Sequence, residues 1–297
     1  MQKYRIGIDL GGTKTETVLL DSEGKQIHRK RITTPREKGY EGILESTHEL
    51  IIDTGGRVPD KGEYTIGIGI PGSINIETQL VQNANTTSLI GRPFQSDIER
   101  LIGRPVGMEN DANCFTLAES LAGAGKGYNL VFGIIMGTGC GGGICIDGHV
   151  RRGSHAIAGE WGHFSVDPKG VDCYCGNRGC VETKISGSGV ESAFFRKYGK
   201  RLKMVEIVEG YRKSDPQCTP VFNQFIDDFG RCLGGLISIL DPDAIILGGG
   251  LSNIEELYSL GVERVREYTF HRHIKTPILK NILGDSAGVF GAAWIGI

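Results

Sequence analysis

Apolar residues alternate with glycine and polar residues in YRIGIDL (residues 4–10), and TETVLLD (15–21) repeats a strand-like composition. Period-two alternation predicts strands, and GGTK (11–14) between them predicts a tight turn. Residues 39–54 carry a helical period. YTIGIGI (64–70) reads as a buried strand stopped at Pro71-Gly72. PFQSDIERLIG (93–103) predicts a short amphipathic helix, and DANCFTLAESLAGAG (111–125) a longer one with Asp111 placed to cap it. NLVFGIIM (129–136) and GGGICID (141–147) then repeat the opening device, two strands around a glycine-rich turn, GTGC (137–140). Helices are predicted over 186–198, 204–213, 219–240 and 252–268, a buried strand over 243–250, and a last apolar helix over 286–297. Strand, glycine turn, strand and helices thus occur twice. That pattern predicts two α/β lobes around a cleft, with 1–113 plus the last helix in a small lobe and 114–285 in a larger one.

The composition narrows the class. The 297 residues are 39% hydrophobic and 23% charged, with a formal net charge of -2. Such a balance gives no electrostatic footprint for nucleic acid or an anionic membrane surface. The longest apolar runs are strand-sized, and MQKYRIGIDL lacks the layout of a signal peptide, so a cytoplasmic protein is expected. Forty-six glycines point to many tight turns and close backbone approaches. Of eight cysteines, three crowd into CYCGNRGC (173–180), which suits a metal better than a disulfide scaffold.

The chemistry-bearing stretches follow from these turns. DLGGTKT (9–15) exposes backbone N–H groups that suit phosphate oxygens, with Asp9 in front of it to hold Mg²⁺. GTGCGGG (137–143) repeats the device, and LGGG (247–250) is a third close-approach turn. GIGIPG (67–72) and GTGCGG (137–142) match the dinucleotide pattern but lack the strand-to-helix setting it needs. Asn110 and Asp111 sit where a strand gives way to a helix, a setting in which a carboxylate can take a proton from an attacking hydroxyl. NAN (83–85) adds amides for sugar hydroxyls.

His163, Cys173, Cys175 and Cys180 form His-x9-Cys-x-Cys-x4-Cys, a zinc donor set. Four protein ligands leave no open position, so the metal is expected to be structural. Glu160 and Glu182 bracket the set, where a metal loop would hold both carboxylates toward a polyhydroxy ligand.

DLGGTKT, IPGS, NANTT, ENDAN, GTGCGGG, EWGH, CYCGNRGCVET and LGGG occur in the order seen in the ROK family of bacterial sugar kinases and repressors, which the whole chain resembles. The resemblance implies an actin-like (ribonuclease H-like) ATPase fold, ATP, Mg²⁺, a structural zinc and a homodimer. It implies Asp111 as catalytic base. Asp9, Gly11, Gly12, Thr13, Lys14, Thr138 and Gly139 would then serve the phosphates and Mg²⁺, and Gly248, Gly249 and Gly250 the nucleoside. Gly72, Asn85, Asn110, Glu160, His163 and Glu182 would surround a hexose, with His163 facing zinc through one nitrogen and sugar through the other. The motifs resemble most the fructokinase or mannokinase branch, then N-acetylglucosamine kinases, then glucokinases. The family's repressors carry a preceding DNA-binding domain, for which DLGGT at residue 9 leaves no room. A sugar sensor without catalysis is the rival of another class, and the presence of Asp111 argues against it.

Overall fold

The computed structural model describes residues 4–271 and 273–296. Its first elements are β1 (Tyr4–Leu10), β2 (Lys14–Leu20), β3 (Gln26–Thr33), α1 (Gly39–Gly55), β4 (Tyr64–Ile70), β5 (Ser73–Ile74), β6 (Val81–Gln82), α2 (Phe94–Ile102), β7 (Gly107–Asn110) and α3 (Asp111–Ala122). There follow β8 (Leu130–Met136), β9 (Cys140–Ile146), β10 (His149–Val150), α4 (Val181–Ile185), α5 (Gly187–Tyr198) and α6 (Met204–Arg212). The chain ends with α7 (Cys218–Leu240), β11 (Ala244–Gly248), α8 (Leu260–Tyr268), β12 (Ile278–Lys280) and α9 (Ala287–Trp294). It divides into two units: Met1–Ala122 with Gly148–Ala158 and Leu283–Ile297, and Gly123–Asp147 with Gly159–Ile282. The boundary expected at 113/114 falls inside α3, which lies whole in the first unit.

In the first unit the strand order is β3-β2-β1-β4-β7, with β1, β4 and β7 parallel and β1-β2-β3 antiparallel. The Ile/Gly alternation gives this sheet two different faces. Ile6, Ile8, Ile66, Ile68 and Ile70 share a core with Tyr40, Ile43 and Ile51 of α1 and Phe94 and Ile98 of α2. On the other face, Gly7, Gly67 and Gly107 stand in register across three strands. A Cβ on them would lie 2.1, 1.9 and 2.1 Å from the carbonyls of Val289, Ala292 and Ile295. The row of glycines therefore lets the Ala- and Gly-rich α9 lie flush on the sheet. This is why the chain's last apolar segment packs beside its first strand.

β3 shows no clean apolar alternation, and sequence periodicity does not find it. It is an exposed edge, QIHRKRIT, whose charges oppose edge-to-edge pairing. It is tied down by Arg29 and Arg31, both ion-paired to Glu16 of β2.

In the second unit β9, β8, β11 and β12 lie side by side in that order, β8-β9 antiparallel and the other two pairs parallel. The long α7 buries Phe222, Phe225, Phe229, Leu233 and Ile237 on one stripe. These join Phe132, Ile134, Ile245 and Leu247 of the strands in one core. The helix expected over 252–268 is confined to α8. Upstream of it the chain makes 3₁₀ turns, because Ser252 Oγ donates to the Gly249 carbonyl at 2.7 Å and Tyr258 Oη to the Ser252 carbonyl at 2.8 Å. The short elements β5, β6, α4 and β12 carry too few residues for a periodic signal. Among the described residues no helix is long and apolar enough to cross a membrane.

Candidate active site

In the first unit the β1–β2 turn closes where Gly11 N–H donates to the Lys14 carbonyl at 2.9 Å. Buried Thr34 fastens the turn from the side. Its N–H donates to the Thr13 carbonyl at 3.0 Å and its Oγ1 to the Gly11 carbonyl at 2.8 Å. Thr13 and Lys14 remain exposed. The Arg36 guanidinium comes to within 3.8 Å of where a Cβ on Gly12 would stand, and Asn85 Oδ1 to the same distance. Among the described residues Arg36 makes no ion pair. Sequence reading passed over it, because the link from TTPR (33–36) back to the turn is made by Thr34 and not by any local pattern.

Asp9 lies beneath this turn, opposite Glu16 in the β1–β2 register. A Cβ on Gly288, in the first turn of α9, would lie 3.0 Å from Asp9 Oδ2. Burial pushes the Asp9 carboxyl up to about 7, reinforced by the negative charges of Asp111 and Glu16 and opposed by Arg31. Asp9 and Asp111 thus feel each other directly, although 102 positions separate them in the chain.

Asp111 is the first residue of α3 and half-buried, with Oδ1 accepting the Ala112 N–H at 2.8 Å. The helix cap expected of Asp111 is made by Asn110, whose Oδ1 accepts the N–H groups of Ala112 (2.9 Å) and Asn113 (3.3 Å). Asn110 Nδ2 donates to the Gly72 carbonyl at 2.9 Å. Gly72 has φ +101°, and a Cβ there would stand 2.5 Å from the Gln82 carbonyl, so no other residue fits this bend. Glu109, a residue the motifs did not single out, supports the junction from behind. It accepts from Asn110 N–H (2.9 Å), Asn113 Nδ2 (3.0 Å) and Arg152.

In the second unit the β8–β9 turn holds Thr138 exposed and Gly139 half-buried. Glu182 Oε2 accepts the Cys140 N–H at 2.9 Å, and the start of α5 seats on the turn through Gly187 N–H to the Gly137 carbonyl at 2.8 Å. β11 ends at Gly248, and the exposed Gly249-Gly250 bend passes over the end of β8, its Gly249 Cβ position 2.3 Å from the Met136 carbonyl. The two glycine turns of this unit are therefore neighbours.

Glu160 precedes the 3₁₀ turn Trp161–His163, which packs on β9. Burial raises the Glu160 carboxyl, with His163 opposing and Glu182 adding to the rise, so Glu160, His163 and Glu182 share one electrostatic neighbourhood. The donor atoms of His163, Cys173, Cys175 and Cys180 all lie within 4.8 Å of one another. Cys175 Sγ and Cys180 Sγ are 3.6 Å apart, as are Cys173 Sγ and His163 Nδ1. Two thiolates at about 2.3 Å from one tetrahedral zinc stand about 3.8 Å apart, so the donor set fits such an ion. Burial, with Cys175 and Cys173 alongside, pushes the Cys180 thiol up to about 12, and its thiolate form therefore calls for a cation. His163 Nε2 points away from the sulfurs to Tyr174 Oη at 3.0 Å. A separate cavity of about 510 Å³ behind the metal loop, walled by Lys184, Arg196, Lys197 and Phe225, contains none of the candidate residues.

Comparison with known proteins bears on the family and the fold. The model of the ROK family matches residues 5–297. The N-acetyl-D-glucosamine kinase of Yersinia pseudotuberculosis is 38% identical over 299 residues, covering 97% of each chain. The ROK hexokinase of Thermus thermophilus superposes with a TM-score of 0.89 at 30% identity, covering 99% of this chain and 97% of that one. The ROK family glucokinase of Streptomyces griseus, solved with glucose and AMPPNP, gives a TM-score of 0.80 at 30% identity and 99% of both chains.

Proposed function

Because the chain belongs to the ROK family and has its actin-like ATPase fold, we propose that this sugar kinase is an N-acetylglucosamine kinase that uses ATP to phosphorylate the 6-hydroxyl. The observation that carries the chemistry is Asp111, placed at the head of α3 by the Asn110–Gly72 bond and within electrostatic reach of Asp9 beside the Gly11-Gly12 turn. Asp111 accepts the proton of the attacking hydroxyl. In the first unit the N–H groups of the 11–14 turn, with Lys14 and Arg36, stabilise charge on the phosphates, and in the second unit the N–H groups of the 137–140 turn are suited to the same task. Asp9 would hold Mg²⁺, which supplies neutralisation of phosphate charge. In the second unit Glu160, His163 and Glu182 accept and donate hydrogen bonds to sugar hydroxyls. His163, Cys173, Cys175 and Cys180 would hold Zn²⁺ in a structural role, fixing the loop from which these side chains project. The Gly248–Gly250 bend serves the nucleoside.

The relatives at 38% identity favour N-acetylglucosamine ahead of the fructose that the motifs suggested. Glucose is the second reading, supported by the Streptomyces griseus glucokinase at 30% identity. Small changes in a pocket are worth only about 1–3 kcal/mol between close sugars, so the order is a matter for measurement. The test is ATP-dependent ADP release on N-acetylglucosamine, glucose, mannose and fructose in parallel. The highest kcat/KM is expected on N-acetylglucosamine. A higher value on fructose or glucose would keep the chemistry and overturn the substrate. Sugar binding without turnover on any of them would overturn the kinase reading in favour of a sensor.

A further inference from the structure

Tyr174 stands between two candidate metal-ligand cysteines, and the residue is 83% exposed. Its hydroxyl nevertheless turns inward. Oη lies 3.0 Å from His163 Nε2, and the two rings meet edge-on with centroids 5.1 Å apart at 85°. With His163 Nδ1 turned to the sulfurs, a cation held there would take its lone pair and leave Nε2 with the proton and one hydrogen bond to donate. The phenol oxygen therefore holds the position that a sugar hydroxyl would take on His163. One N–H serves one acceptor, so the two exclude each other.

We infer that Tyr174 is a competitor at the sugar site: its hydroxyl caps His163 Nε2 and must leave before a sugar hydroxyl can bind there. The inference rests on the sugar-kinase reading of Glu160, His163 and Glu182. Among the described residues the ring is held by the one hydrogen bond and the edge contact, so its departure is inexpensive but not free. Sugars that engage His163 strongly displace it, and sugars lacking a hydroxyl at that position leave it seated.

The test is Tyr174→Phe, which keeps the ring contact and removes the hydroxyl. Loss of one such hydrogen bond corresponds to about two- to tenfold in equilibrium. Isothermal titration with N-acetylglucosamine and glucose is expected to show a Kd lowered by that factor. KM for sugar falls with it, while kcat, KM for ATP and zinc content match wild type. Equal or weaker sugar binding by the variant would overturn the inference, the latter making Tyr174 a direct sugar contact. Loss of zinc from the variant would also overturn it, since the phenol would then support the metal loop. Wild-type protein that binds none of the sugars would instead sink the underlying reading of the site, so the two failures are distinguishable.

Discussion

The Glu182 carboxylate accepts the Cys140 backbone N–H at 2.9 Å, joining the helix that follows the metal loop to the β8–β9 turn. One side chain thus fixes the turn proposed to bind phosphate and is also one of those proposed to bind sugar. Glu182→Ala is expected to raise KM for both ATP and sugar, each by about tenfold. Glu182→Gln keeps an acceptor oxygen and should restore KM for ATP more than KM for sugar. An alanine variant with an altered KM for sugar only would show that the turn does not depend on this bond.

Asp111→Asn keeps the shape of the α3 terminus, which Asn110 caps. The fold and sugar affinity should therefore stay near wild type. Removing the proton acceptor should lower kcat by about 10²–10⁴-fold. Turnover near wild type would remove Asp111 as general base.

The raised Asp9 carboxyl gives the ligand-free protein a specific pH response. Its folded value of about 7 exceeds the unfolded 3.8, because burial and the nearby Asp111 and Glu16 disfavour the charge. Between about pH 4 and 7 the folded state binds more protons than the unfolded one, so this group's contribution is present at low pH and lost as pH rises through 7. Asp9→Asn should stabilise the protein at pH 8, by up to a few kcal/mol, and by progressively less as pH falls toward 4. The same variant should lose most ATP-dependent turnover. A variant less stable at pH 8 would contradict the sign.

Cys175 is the exposed member of the metal set, so Cys175→Ser alters no core packing. The expected result is loss of bound zinc, a lower Tm and weaker sugar binding together. Treating wild type with a strong chelator should reproduce the same Tm fall. A metal-free variant with wild-type sugar affinity would separate Glu160 and Glu182 from any support by the metal loop.

Arg36→Gln tests the cation beside Gly12. A charge-assisted contact to phosphate corresponds to about ten- to a hundredfold in affinity. KM for ATP should rise by at least about tenfold while KM for sugar stays put. The reverse pattern would assign Arg36 to the sugar.

Local sequence was enough to determine the periodic elements and the chemistry carried by short motifs. Ile/Gly alternation marks β1 and β4, a single stripe of Phe and Leu marks α7, and three cysteines with one histidine mark the metal loop. These depend on residues a few positions apart, where backbone geometry alone fixes which side chains share a face. β3 escaped because its residues bury almost nothing, and its place depends on Glu16 of another strand.

Only the tertiary structure decided who meets whom across long stretches of chain. The glycines at 7, 67 and 107 become one row only in strand register, and that row seats α9. Glu182 finds Cys140 at a separation of 42 residues, and Asn110 finds Gly72 at 38. Arg36 reaches Gly12 because Thr34 is bonded to the turn, and Tyr174 reaches His163 because the Cys173–Cys180 knuckle folds the chain back on itself. Such pairings are set by packing and by the need of buried polar atoms for partners, neither of which is written in the spacing of neighbouring residues.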